Sequence, residues 1–419
     1  MHGMPKGAVL GLALASFALS GGGLTAASRA ADVTLTVSRW AGPQADAQKV
    51  LLDEYSKETG IAVKLDAIDY GQLKQKQMLN MSTRTGEYDL IYVPEAWFRE
   101  YAAAGYLTPL DDYVKDVKLT GEGWDLADFS KAGLDVYTAK GSLQAIPYFA
   151  QTPLLVFNKD ALAGQGIAPP RTWPELLSAA EKLKQAGTGI ALPFRQGAAI
   201  SNIMAILLAG NDGRFFDGNG KLALQEPAVV ETVAFMQKLA GSSLNGSNGW
   251  HWDEVAKALQ FGQAPMGITA SGLFKALEDE DESNTAGKLG YSVIPYGKHP
   301  AGLLQTWAWA VPADSRNKDQ AFRLAAWLAS RKALAEISAA DPSFISFRAS
   351  LSSDPDIARR APWLAAANEA LASGVTLPLQ PAAPQLLDAL ATGLSGVVTN
   401  GDDPAAMLRH VQDTLAAKF

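Results

Sequence analysis

Apolar and polar positions along this chain repeat with two different periods, and each change of period marks an element. Residues 33–37 alternate around β-branched side chains and predict a strand. Residues 44–58 follow with Ala47, Val50, Leu51 and Tyr55 on one helical face, and Gly60 stops that helix. Residues 61–68 alternate again, 71–83 predict a polar helix, 89–93 a buried strand and 96–104 a helix closed by Gly105. A strand–helix order of this kind predicts a parallel sheet with helices on its faces.

The middle of the chain changes character. Residues 145–149 and 153–157 are short apolar runs, too short and too rich in β-branched or aromatic residues for helices. Asn158-Lys159-Asp160 stops the second run, and Pro169-Pro170 forbids a helix just beyond it. Thr172 then caps a helix with Pro174 and Glu175 in its first turn. Two strands followed by a new helical layer predict a crossing between packed units. The second unit reads as helix 173–185, strand 190–194, helix 199–208, helix 227–239, a Gly/Ser/Asn loop 241–249, helix 253–261 and strand 265–269. Strands over 291–294 and 303–311 follow, then helices from Lys318 onward, interrupted over 342–355.

The ends and the totals narrow the class. Lys6, the apolar run 7–19 and the Ser28-Arg29-Ala30 site predict a cleavable export signal over 1–30. The run is too short to cross a bilayer. With no Cys anywhere, neither a lipid-attached cysteine nor a disulfide is available, so the expectation is a free periplasmic protein stabilised by packing alone. The net charge of −7 becomes more negative once Lys6 and Arg29 leave, which argues against nucleic acid as a partner.

The stretch 144–176, QAIPYFAQTPLLVFNKDALAGQGIAPPRTWPEL, resembles the mid-chain crossover of family 1 bacterial extracellular solute-binding proteins, the carbohydrate-binding receptors of ABC importers. The resemblance extends over nearly all of the chain beyond residue 30. It implies an α/β fold of two lobes, each a mostly parallel sheet flanked by helices, joined by a hinge with a ligand cleft between. It also implies discontinuous lobes: 31–147 with 265–312, and 148–264 with 313–419. The implied partners are a sugar, small glycoside or polyol and the membrane permease subunits of the importer; the chain itself is expected to be a monomer without cofactor or metal.

In open α/β sheets ligands sit beyond the carboxyl ends of the strands, and that rule selects the candidates. Trp40, after the first strand, can stack on a sugar ring, with Gln44 just beyond. Asp66 ends the second strand. Glu95 follows the third and can either cap its helix or accept hydroxyl donors; the family often has an acidic residue at this turn. Tyr148 and Gln151 lie between the crossover runs. Arg195 follows a strand of the second unit, with Asn202 one turn into the next helix, and Trp250 and Trp252 flank His251. Trp307 stands in Leu304-Gln305-Thr306-Trp307, where relatives often carry a Gly-Gly-Trp-like run. Arg348 precedes Asp354-Pro355, and in relatives a similar Arg reaches the cleft. Each has a plain alternative: core packing for the aromatics, ion pairs for the charges.

No GxSxG, P-loop, HExxH or Rossmann glycine pattern occurs, and His251, His299 and His410 are isolated from one another. The chain is therefore expected not to be an enzyme. Two alternatives stay open: a charged ligand on the same fold, with Arg195 and Arg348 favouring an anion and Glu95 with the Trp residues a cation, and a secreted glycan-active enzyme, because paired carboxylates leave no sequence motif.

Overall fold

The computed structural model describes residues 33–41, 43–380 and 382–419, without the side chains of 43 and 44. The expected export signal over 1–30 lies outside the described residues, as does the side chain of Gln44.

Nine strands build the two main sheets: β1 (Thr34–Trp40), β2 (Ala62–Ile68), β3 (Leu90–Pro94), β4 (Ile146–Gln151), β5 (Pro153–Asn158), β6 (Ile190–Ala191), β7 (Met266–Ala270), β8 (Leu289–Ser292) and β9 (Gln305–Ala310). The first sheet runs β2-β1-β3-β9-β4 and the second β8-β5-β7-β6. β1, β2 and β3 pair in parallel, as their alternation with helices requires. β3 is buried at every position because helices cover both faces of this sheet. β9 lies antiparallel between β3 and β4. In the second sheet β5 is antiparallel to both β7 and β8, and only β6 pairs in parallel with β7. The two-lobed α/β architecture thus matches expectation, with more antiparallel pairing, because strands entering from the other lobe arrive without a βαβ crossover.

The pairings also correct the division of the chain. Residues 266–270 find their ladder partners on β5 and β6, and 289–292 on β5, so this segment belongs to the second sheet and not to the first. Residues 148–151 remain in the first sheet. Helices Lys318–Leu328 and Arg331–Ala340 pack on helix Pro43–Thr59, which places 318–340 with the first lobe. Ile345 extends that sheet beside Ala150. The second lobe is completed by helices Ala383–Asn400 and Pro404–Leu415, packed against Ala198–Ala209 and Pro227–Gly241.

Thr152 alone separates β4 from β5, and it is fully buried. Its N–H donates to the Ser271 hydroxyl at 3.2 Å, and its own hydroxyl accepts the Leu303 N–H at 3.3 Å. The crossover, the end of β7 and the approach to β9 are thereby tied at one point. Gly302 and Leu303 pair with Gly374 and Val375 beside it. A Cβ on Gly302 would stand 2.3 Å from the Ala370 carbonyl oxygen, so only glycine permits this approach. Beyond the hinge, Glu175 accepts the N–H groups of Arg171 and Thr172 at 2.8 and 3.0 Å, fixing the start of helix Trp173–Gln185 as its sequence predicts. Among the described residues no helix is long and apolar enough to cross a membrane.

Candidate functional site

The carboxyl ends of β1, β2 and β3 carry a continuous aromatic wall. Trp40, the last residue of β1, stacks on Trp307 of β9 with centroids 5.7 Å apart and planes 13° from parallel. Trp307 in turn stacks on Phe149 at 5.1 Å. Tyr70, two residues past β2, meets Trp40 edge-on at 5.7 Å and leans on Trp97 at 5.1 Å. Trp40, Trp97 and Trp307 are half-buried, and Tyr70 is exposed. The indole N–H groups of Trp40 and Trp307 are buried and donate to nothing among the described residues. Aromatic faces with spare donors beside them suit a ring or chain bearing C–H on one side and oxygen on its edge.

Glu95 stands at the edge of this wall as the first residue of helix Glu95–Ala103. Its carboxylate accepts the Thr306 N–H at 2.8 Å. Thr306 is held in turn by the Tyr137 hydroxyl at 3.0 Å. Burial pushes the Glu95 carboxyl up to about 7, against the opposing pull of the Thr306 and Glu95 backbone N–H groups. Glu95 lines a cavity of about 290 Å³ together with Arg99, Asp135, Leu304, Thr376 and Leu379. Gln151 ends β4 directly opposite Gln305. A Cβ on Gly272 would come within 2.8 Å of the Gln151 amide nitrogen, so glycine there lets the loop after β7 close on this side chain.

On the second lobe, Arg195 and Trp250 come together: the Arg195 N–H donates to the Trp250 carbonyl at 2.9 Å. The Arg195 guanidinium pairs with Glu254 at 3.0 Å on the surface.

Most of the other candidates are buried. Arg348 is 2 % exposed. Its guanidinium donates to the Ala329 carbonyl at 2.7 Å, the Asp125 carbonyl at 3.3 Å and the Asp128 carboxylate at 3.0 Å, and lies over Phe129 at 4.3 Å. Tyr148 is buried against Tyr92, Trp309 and Phe344 in the first core. A register shift between Trp307 and Ala308 sends Trp309 onto Tyr148 while Trp307 keeps Phe149. Trp252 is part of the second core, and its carbonyl accepts the Thr269 hydroxyl at 2.9 Å. Asn202 is 3 % exposed inside helix Ala198–Ala209. Asp66 is occupied by Lys76 at 2.7 Å and the Tyr88 hydroxyl at 2.6 Å. Tyr70 and Phe149, by contrast, join the wall without having been singled out. Tyr70 stands just past the end of β2, as Trp40 stands at the end of β1, so the same strand-end rule reaches it.

Strand ends facing a hinge, with an aromatic wall and few uncommitted charges, define a cleft-closing receptor for a small polar molecule. Residues 40–335 match the bacterial extracellular solute-binding protein family, and the chain belongs to it. This family comprises binding proteins of ABC transporters, not enzymes. A protein of Sinorhizobium fredii named "Probable amino-acid ABC transporter periplasmic-binding protein" is 28% identical, over 69% of this chain and 67% of its own length. The mannitol-binding protein of Pseudomonas aeruginosa is 28% identical over 65% of this chain and 63% of its own length. Among solved structures, a solute-binding protein of Agrobacterium radiobacter in complex with ribitol is 27% identical with a TM-score of 0.76, covering 92% of this chain and 99% of that one.

Proposed function

We propose that the chain is the substrate-binding protein of an ABC importer for sugars and polyols, closing its two lobes over the ligand and presenting it to the permease. The observation that carries this reading is the Trp40–Trp307 stack with its two unpartnered indole donors. Mannitol and ribitol, the ligands of two similar proteins, bring the alternation of C–H and hydroxyl groups that such a wall accommodates. Trp40, Tyr70, Glu95, Gln151 and Trp307 form the first-lobe side; Arg195 and Trp250 meet the ligand from the second lobe on closure. The chain works in the periplasm as a monomer, delivered by a cleavable signal and without a lipid anchor. Thermal-shift titration with mannitol, ribitol and maltose tests the reading: at least one raises the melting temperature in a concentration-dependent way. Absence of any shift, together with turnover of a glycan, refutes it in favour of an enzyme.

A further inference from the structure

A charge interrupts the core-facing row of β1. Leu35, Val37 and Arg39 share one face of the strand by alternation, and all three are buried, Arg39 to 1 % exposure. Trp40 lies on the opposite face. The ladder that holds this strand end is one-sided: β1 pairs with β2 as far as Trp40 and Ile68, but with β3 only at Val37 and Ser38. The Arg39 side chain connects the strand end where the ladder to β3 has stopped. Its Nε–H donates back to the Trp40 carbonyl at 3.1 Å. Its Nη1 donates to Oε1 of Gln48, a fully buried residue of helix Pro43–Thr59. Its guanidinium lies over the ring of Tyr92 in β3, 4.9 Å from the centroid. Tyr92 packs in turn on Trp309 of β9 at 4.7 Å and on Tyr148 of β4 at 6.0 Å.

Resting on the reading of the Trp40–Trp307 wall as the ligand face, we infer that Arg39 is the positioning residue of that wall: its buried guanidinium ties the end of β1 to β3 and to helix Pro43–Thr59, and so sets where Trp40 stands against Trp307. The stack needs such a tie because its two members belong to strands that are not neighbours. β3 lies between β1 and β9, and Trp307 pairs with Pro94 at the end of β3. A strand end laddered to β2 alone can swing about that ladder and carry Trp40 away from Trp307. A planar guanidinium holds the Trp40 carbonyl, Gln48 and Tyr92 at fixed angles, which neither an ammonium nor an apolar side chain does. Packing alone does not call for a cation here, since a buried charge gives up its hydration and an apolar side chain of like volume would fill the same row. Arg39 itself is too deeply buried to meet a ligand and acts through Trp40.

The test combines two readouts on the full-length processed protein. Stacked indoles give an exciton couplet in circular dichroism, and Trp307→Phe identifies the part of the wild-type spectrum that belongs to the Trp40–Trp307 pair. Without ligand, Arg39→Met loses most of that couplet. Gln48→Leu, which removes one acceptor and leaves Arg39 in place, loses part of it, and Gln48→Glu, which keeps the acceptor, restores it. With mannitol as the probe, Arg39→Met binds about tenfold more weakly, as loss of hydrogen bonds from a charged group predicts, and the Gln48 variants follow the order of their couplets. Urea unfolding checks that each variant is folded; if Arg39→Met is not, an unchanged couplet in Gln48→Leu overturns the inference. A folded Arg39→Met protein with an unchanged couplet overturns it, as does a lost couplet with unchanged mannitol affinity. Equal losses in Gln48→Leu and Gln48→Glu also overturn it, because they mark a packing role. So does a wild-type spectrum from which Trp307→Phe removes nothing, because the stack is then absent. If the couplets behave as expected but the wild type binds none of mannitol, ribitol and maltose, the polyol reading fails and the positioning role of Arg39 stands.

Discussion

Arg348→Ala is expected to unfold part of the first lobe rather than to weaken ligand binding. Three acceptors on two segments converge on this guanidinium: the Ala329 carbonyl on one, and the Asp125 carbonyl with the Asp128 carboxylate on the other. Phe129 and Trp124 lie under it at 4.3 and 5.4 Å. Removing one partner of a buried ion pair costs about 3–5 kcal/mol. The low side of that range applies to the orphaned Asp128, which keeps the Ser350 N–H at 2.8 Å and hydroxyl at 2.7 Å. The two lost charge-assisted bonds to carbonyls and the lost ring contacts pull the other way, and about 4 kcal/mol is the expected total. Arg348→Lys recovers little, because a single ammonium cannot reach three acceptors arranged for a planar fork.

Urea unfolding followed by far-ultraviolet circular dichroism measures the loss, with the slope checked for a change in the native state. The pH dependence adds a second check. Burial alone would raise the Asp128 carboxyl, but Ser350 and the Arg348 guanidinium hold it below its ordinary range. A carboxyl held low contributes stability above its unfolded value and loses it as the pH falls through its folded one. The gap between wild type and Arg348→Ala therefore narrows in acid. An Arg348→Ala protein with an unchanged urea midpoint and lost ligand affinity would refute this and return Arg348 to the cleft.

Glu95 carries the opposite sign. Its folded value lies above the unfolded one, so wild-type stability falls as the pH rises from about 4.5 to about 7, and Glu95→Gln is more stable than wild type at pH 8 by about 1–3 kcal/mol, with no gain at pH 4; equal melting temperatures at pH 8 count against a desolvated carboxyl. Trp252→Ala costs about 3–5 kcal/mol through loss of core volume and leaves the affinity of the folded fraction unchanged, whereas Trp40→Ala lowers affinity with a smaller loss of stability; calorimetric titration beside urea melts separates the two. Gly302→Ala forces a Cβ against the Ala370 carbonyl and lowers the melting temperature by an amount corresponding to about 1–3 kcal/mol; an unchanged melting curve would mean the hinge strands yield freely.

The first lobe was legible because local order carried it. Alternating strands and helices over 33–104 admit few arrangements, and the strand ends then lead directly to Trp40 and Glu95. The second half was less legible for a physical reason. Segment 266–269 is buried at every position, so its apolar pattern fits either sheet equally well, and only the ladder to β5 and β6 decides its lobe. The register shift at Trp307 similarly overrides the strict alternation that would pair Trp307 with Trp309 on one face.

Charges were the least legible part of the site, because a charged residue in a sequence does not display its counter-ion. Arg348 meets Asp128 across 220 positions, and Arg195 meets Glu254 across 59. Read singly, each arginine suggests an anion. Read with its partner, each already faces a carboxylate of the chain itself. Glu95 gains meaning by the same comparison: its nearest firm contact, Thr306, lies 211 positions away and brings a hydrogen bond but no charge. Among the described residues no cation pairs with Glu95, which lines a cavity of about 290 Å³, and that arrangement is a property of the fold rather than of the residue.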